Sequence, residues 1–397
     1  MSGKNPQFDR RRFIAALSAT TAAGLAGCTG DDDDGDTDDT DTDDGTADEE
    51  FRPITATEIP PDGVEGSVNA WHIYNEWVNA IAPGFEDEYS VSVNTAFQTG
   101  PEPVRAELSQ GSDDIDVTFG IPSLVAQGIA EDWFEPLPVD LIEGYQANNK
   151  EIQDLDQEHF TNEDGELLAM SRARDWAPAL VYNTDHFDSP PDSWGIFWEE
   201  DLAGEIALSE LFIYPCRIAA LYTGQDPTDP DDFEEIKEVL VQQRDLNQTY
   251  WGDFSLGQSM MSNEQIVATA NTPGRAAQSQ FEDDAPVDWT IPEEGSVRDV
   301  GQLMIPKGAP NPRAAVAWLD WCMKPENSVG LAAEHFTLPT NENWEEFVDE
   351  GEISQEQIDY ISDENKVPPD APEFSNIEES LETVQQYGEL WTRVLGA

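Results

Sequence analysis

From Ser67 onward the chain alternates between two kinds of apolar spacing. Short apolar runs, among them Ser67–Ile73, Val91–Phe97 and Asp114–Phe119, read as strands. Between them, apolar residues recur every three or four positions. Trp77, Val78, Ile81 and Phe85 follow that spacing and predict a helix from Trp77 to Tyr89. Helices are also predicted over Glu102–Gln110 and from Pro122 to about Asp132. The second half repeats the style, with strands over Ala179–Asn183, Glu205–Ser209, Gln265–Ala270, Val287–Ile291 and Val300–Ile305. Its helices are expected at Asp231–Arg244, Arg275–Phe281, Pro312–Met323, Gln355–Ser362 and Asn376–Val394. Such alternation predicts α/β architecture on largely parallel sheets, with ligands at the carboxyl ends of strands.

The first 50 residues follow neither pattern. Phe13–Gly27 is apolar but shorter than the roughly 20 residues a spanning helix needs, and it is rich in Ala, Ser and Thr. Arg10, Arg11 and Arg12 precede it, and small residues lead out of it, in the order of an export signal. The paired arginines resemble a twin-arginine signal, and Leu25-Ala26-Gly27-Cys28 resembles a lipobox, so Cys28 is the expected lipidation site. Residues 29–50 hold 13 acids and no Lys or Arg, a composition that cannot bury a core and reads as a disordered tether. Fully extended, such a tether reaches about 75 Å; as a flexible coil it spans about 26 Å. Residues 1–27 are thus expected as signal and 28–62 as lipidated cysteine and tether, with the protein held at the outer face of the cytoplasmic membrane.

Charge narrows the partners. The whole chain carries a formal −64, and from Phe51 onward 69 acids face 15 basic residues. Nucleic acid and anionic lipid would be repelled, so neither is expected as a partner. Acids are spread along the whole domain, and six lysines stand against 13 arginines, a pattern that resembles proteins of extreme halophiles. The acidity then reports the solvent rather than the ligand. His72, His159, His186 and His335 do not pair at ligand spacing, so no metal and no cofactor is expected. Cys216 and Cys322 can pair or stay free on sequence alone. Gly-x-Ser-x-Gly, the phosphate-binding glycine loop and His-Glu-x-x-His are all missing from the sequence, which points away from an enzyme.

Six stretches in series then resemble the spermidine/putrescine-binding family of ABC-importer solute-binding proteins. They are Ile73-Tyr74-Asn75-Glu76-Trp77-Val78, Asp116–Phe119, Asp192–Trp198 with Gly204–Leu208, Ile291–Gly295, Ile305–Asn311 and Ala315–Asn327. The resemblance implies a two-lobed, type II periplasmic-binding-protein-like α/β fold that closes on ligand about a hinge. It implies one lobe over 64–172 plus 299–342 and a second over 173–298 plus 343–397. It also implies a monomer that delivers a small solute to an ABC permease and has no catalytic residues. A secreted hydrolase or a surface adhesion protein is the reading from another class.

For the ligand site the resemblance points to Tyr74, Asn75, Glu76 and Trp77, where aromatic rings and a carboxylate would grip an organic cation. The same rings also fit ordinary strand and helix core. Where the family carries Trp-x-Asp, this chain has Asp299-Val300-Gly301, so the acid is displaced by two residues on the same strand face. Tyr214, with Leu211, stands where the family has acids. Arg172 and Arg174 share a strand face just before Trp176, and Arg217 and Arg275 are expected to border the same cleft. Each arginine also fits a plain ion pair with a neighbouring acid. A polyamine-like cation, gripped by Tyr74 and Trp176, is narrowly the first expectation; the alternative is an anionic or zwitterionic solute held through Arg172 and Arg174.

Overall fold

The computed structural model describes residues 67–98, 101–111, 114–348 and 353–397. The expected export signal, Cys28 and the tether lie outside the described residues. In chain order the first strands are β1 (Ser67–His72), β2 (Ser92–Phe97), β3 (Val117–Gly120), β4 (Met170–Trp176), β5 (Ala179–Asn183) and β6 (Ile206–Ser209). The others are β7 (Asn247–Trp251), β8 (Ala268–Asn271), β9 (Val287–Thr290), β10 (Ser296–Met304), β11 (Leu338–Pro339) and β12 (Glu373–Ser375). Helices that matter to the site are α1 (Asn75–Tyr89), α2 (Pro122–Ala130), α3 (Lys150–His159), α4 (Ile213–Tyr222) and α5 (Phe233–Arg244). They continue with α6 (Phe254–Ser262), α7 (Pro273–Phe281), α8 (Pro312–Met323), α9 (Pro325–His335) and α10 (Leu381–Leu395).

Two sheets result. One runs β11-β4-β10-β3-β1-β2, with β12 also paired to β10; the other runs β7-β6-β8-β5-β9. In the first, β1 lies parallel to β2 and β3, while β10 is antiparallel to β3 and β4. In the second, β6 is parallel to β7 and β8, and β5 is antiparallel to β8 and β9. Strands β3, β5, β6 and β8 are buried along their whole length, so they read as continuous apolar or small-residue runs without alternation. Each sheet has its own core. Trp77, Phe85 and Trp318 pack with the first, and Trp251 and Trp289 with the second.

The chain passes between the sheets twice, and the two passages touch. β4 ends at Trp176 and β5 begins at Ala179; β9 ends at Thr290 and β10 begins at Ser296. The Ala177 amide donates to the Val297 carbonyl at 3.0 Å, and the Ser296 hydroxyl donates to the Pro178 carbonyl. β10 starts four residues earlier than its apolar run predicts, because β12 pairs with Ser296–Arg298 and β4 with Arg298–Leu303. The lobe boundaries expected at Arg172 and Arg298 therefore fall inside continuous strands. α3, α4, β7, α6, α9, β11 and β12 also lie outside the expected element list. Asp253, whose carboxylate accepts from the Leu256 amide at 2.9 Å, was the available start signal for α6. Cys216 and Cys322 are free, buried thiols in different core clusters. Among the described residues no helix is long and apolar enough to cross a membrane.

One buried acid has a pH signature. Asp156 on α3 is fully buried and accepts from the Ser171 hydroxyl at 2.5 Å, the Ser171 amide at 3.0 Å and the Tyr145 hydroxyl at 3.1 Å. Burial pushes its carboxyl up to about 7, against the opposing pull of those donors. A raised carboxyl stabilises the fold fully below the unfolded value near pH 4, and that stability is lost as pH rises through about 7. The expected result is a melting temperature in fixed high salt that falls between pH 5 and pH 8. Asp156→Asn should flatten that fall; an unchanged slope in the variant would count against the assignment.

Candidate functional site

The strand passages bring one group of side chains together around Tyr74. Tyr74 ends the β1 loop and is the N-cap residue of α1, with no side-chain cap bond. Its ring meets Phe119 edge-on at 5.3 Å and His335 at 5.1 Å. Its hydroxyl is pushed up to about 12, chiefly by burial, and it feels Arg172, Asp175 and Asp299. Phe119 in turn occupies the space above Gly301, where an added Cβ would stand 2.2 Å from the ring. This explains the displaced acid: position 301 holds the bare backbone on which the Phe119 ring rests. Gly301→Ala is expected to push Phe119 against Tyr74 and cost about 1–3 kcal/mol. Chemical denaturation measures that loss, and an unperturbed midpoint would refute the close packing.

Across from Tyr74 stands Tyr214 on α4, edge-on to Phe254 at 5.5 Å, its hydroxyl donating to Asp299 Oδ2 at 3.2 Å. The other Asp299 oxygen accepts from Arg217 Nη1 at 2.8 Å. Arg217 also holds Glu379 with two bonds, at 3.2 Å and 2.9 Å, and reaches the Ala177 carbonyl at 3.3 Å. Asp299 thus faces the cluster with its charge already compensated by a buried arginine. Arg217 was legible as a cation within the apolar helix run Ile213–Tyr222, where only a paired charge is tolerated.

Burial pushes the Asp175 carboxyl up to about 8. Glu76 is exposed and lies 3.6 Å from His335 Nε2. Burial holds His335 down at about 4 despite Glu76, which keeps that imidazole neutral. Arg275 binds the Gln278 and Gln258 side-chain oxygens at 2.7 Å and 3.5 Å and makes no carboxylate contact among the described residues, although it feels Asp253, Glu76 and Tyr74. Arg172 is 2% exposed, and its guanidinium lies 3.6 Å from the Trp77 ring and 5.8 Å from that of Tyr74. None of its three nitrogens has a hydrogen-bond partner among the described residues, and the same holds for Arg174 Nε.

The expected site residues therefore divide. Tyr74, Arg172, Tyr214, Arg275 and Asp299 converge, and Glu76 borders them through His335. Arg174 follows on β4, but the ladder shifts register across Arg172, with Ala173 opposite Gly301 and Ser171 opposite Gln302. Plain alternation therefore does not carry the expected shared face from one arginine to the other, and the charge that feels Arg174 is Arg298. Asn75 is half-buried and accepts from Asn79 at 3.2 Å along α1. Trp77 is core: its indole donates to the Asn327 carbonyl at 2.6 Å and its face carries Arg172. Trp176 is buried as well, with Arg298 3.6 Å over its ring. Two surface depressions, of about 270 Å³ beside Asn69 and Asn94 and about 220 Å³ beside Asp288 and Lys366, share no residue with this cluster.

Comparison with known proteins follows this geometry. A family model described as bacterial extracellular solute-binding protein matches residues 77–356. A putrescine/agmatine-binding protein of Pseudomonas aeruginosa is 22% identical over 310 residues, which cover 66% of this chain and 78% of that protein. Among solved structures, the spermidine/putrescine ABC transporter substrate-binding protein PotD of Streptococcus pneumoniae superposes with a TM-score of 0.66 at 17% identity. It covers 84% of this chain and 99% of PotD. AgtB of Agrobacterium tumefaciens, solved in complex with agropinic acid, has a TM-score of 0.62 at 17% identity over 83% of this chain and 99% of its own. The fold is accordingly the two-lobed α/β arrangement of periplasmic binding proteins, and the hydrolase and adhesion readings fall away. The chain belongs to the bacterial extracellular solute-binding protein family.

Proposed function

We propose that the chain is the lipid-anchored capture subunit of an ABC importer, which closes two lobes around a small amine-bearing solute and presents it to a membrane permease. The observation that carries this reading is the convergence of Tyr74, Tyr214 and Asp299 where both strand passages join the sheets. A ligand bound there touches both lobes at once, so binding energy favours the closed form. The lobes are 64–172 plus 299–342 and 173–298 plus 343–397, with β4 and β10 as the flexing strands. Putrescine and spermidine are the first probes, because relatives carry those names.

The test is a thermal-shift panel in high salt with both polyamines, amino acids, sulfonates and phosphonates. A ligand at 100 times its dissociation constant adds about 2.7 kcal/mol, which reads as several degrees. No response to any amine would reject the reading. The anchor has its own expected result. Cys28→Ala should release a folded protein into the medium, and Arg10→Lys with Arg11→Lys should abolish export. A Cys28→Ala protein that stays with membranes after a salt wash contradicts lipid anchoring. A second ligand reading, an anionic or zwitterionic solute, is supported by the compensated Asp299 beside the unpaired Arg172.

A further inference from the structure

Among the described residues, Arg172 is a buried cation without an anion. Its Nε, Nη1 and Nη2 are buried and unbonded, and both ring nitrogens of His72 nearby are in the same condition. The two side chains are close enough that the Arg172 charge helps depress the His72 imidazole, whose own burial is the larger cause. These five nitrogens, gathered beside the carboxyl end of β1, offer seven hydrogen-bonding positions with no partner among the described residues. Each buried, unmet polar group ordinarily costs a folded protein stability, and a charged one costs more. The carboxylates in the cluster do not answer them: Asp299 is held by Arg217 and Tyr214, and Glu76 lies beside His335. The Trp77 face steadies the guanidinium from one side but accepts none of its N–H bonds in the plane.

We propose that Arg172, with His72 beside it, is an anion site within the ligand cleft that takes a carboxylate-class group. This deepens the capture-subunit reading and rests on it: the solute would carry an acidic end at Arg172 and its amine toward Tyr74 and Glu76. A planar guanidinium with free N–H donors matches a carboxylate fork. A free halide ion could meet the same donors, and the experiment separates the two sources.

The paired probes are 4-aminobutyrate and 1,4-diaminobutane, which share a four-carbon span and differ in one terminal group. Calorimetry on the full chain in high salt is expected to show tighter binding of the amino acid. Arg172→Met should weaken that probe at least about thirtyfold, the low end of the effect of removing one partner of a buried charge pair. The ligand-free variant should melt at or above the wild-type temperature, because it no longer buries an unpaired charge. A purely structural arginine would instead lower that temperature. Arg172→Lys, which keeps charge without the fork, should recover part of the affinity and serves as the control should the methionine variant fail to fold. Bromide-soaked, ligand-free crystals supply the second arm: an anomalous peak against Arg172 assigns the anion to free halide. Bromide there with neither probe bound would remove the solute reading and keep the anion site. Equal affinity of both probes, no change on Arg172→Met and no bromide peak would overturn the proposal.

Discussion

Arg217→Met is expected to destabilise the folded protein by about 3–5 kcal/mol, because removing one member of a buried charge cluster leaves the others uncompensated. The Arg217 and Glu379 side chains are 3% and 4% exposed, and Asp299 is 21% exposed. One guanidinium ties β10, the segment before α10 and the Ala177 carbonyl that follows β4. Without it, Glu379 is a buried carboxylate, and burial already pushes that group above its ordinary value. The deficit should therefore shrink as pH falls and Glu379 of the variant takes up a proton. Urea denaturation at pH 7.5 and pH 5 in constant high salt measures both parts. A loss below about 1 kcal/mol, or one independent of pH, would show that the cluster is not coupled in this way.

Dilution of salt should have a larger effect still. The domain from Phe51 carries 69 acids against 15 basic residues, so most carboxylates have no cation available. At 1 M salt the screening length is about 3 Å, and these charges ignore one another; at 0.01 M it is about 30 Å, and they repel across the whole molecule. The expected outcome is progressive loss of the native circular dichroism on dialysis from the first condition to the second, with recovery when salt is restored. A melting temperature that stays constant between those limits would contradict this account. Because the repulsion is collective, single charge reversals on the surface should restore little.

Much of the fold was legible because the apolar spacing that defines a strand or helix is local. Trp77 shows how far that signal reaches. It stands in the stripe with Val78, Ile81 and Phe85, and it packs with that stripe in the core. The stripe was a better guide to its position than the motif that assigned it to ligand. Asp299 shows where local reading ends. Its place on the cleft strand was legible, but its partner Arg217 lies 82 residues earlier, and no spacing rule pairs them. The β4–β10 ladder escaped for the same reason, since the register between distant strands is set by tertiary packing. Arg172 combines the two: its place on a strand could be read, while the register shift at its position and its seat on Trp77, from another element, could not.

The Arg217 cluster also bears on how the protein is made. Synthesis delivers Arg217 long before Asp299 and Glu379, and β4 long before its neighbour β10. Folding during translation proceeds from the amino end, so neither sheet-to-sheet passage can lock until β10 has left the ribosome, and the Arg217 cluster waits longer, for Glu379. Until then a buried-site arginine and an unpaired strand edge are exposed to the cytoplasm. The proposed twin-arginine route, which exports proteins already folded, would suit such a chain. Threading it unfolded would leave that late assembly to be completed outside the cell, without chaperones driven by cytoplasmic ATP.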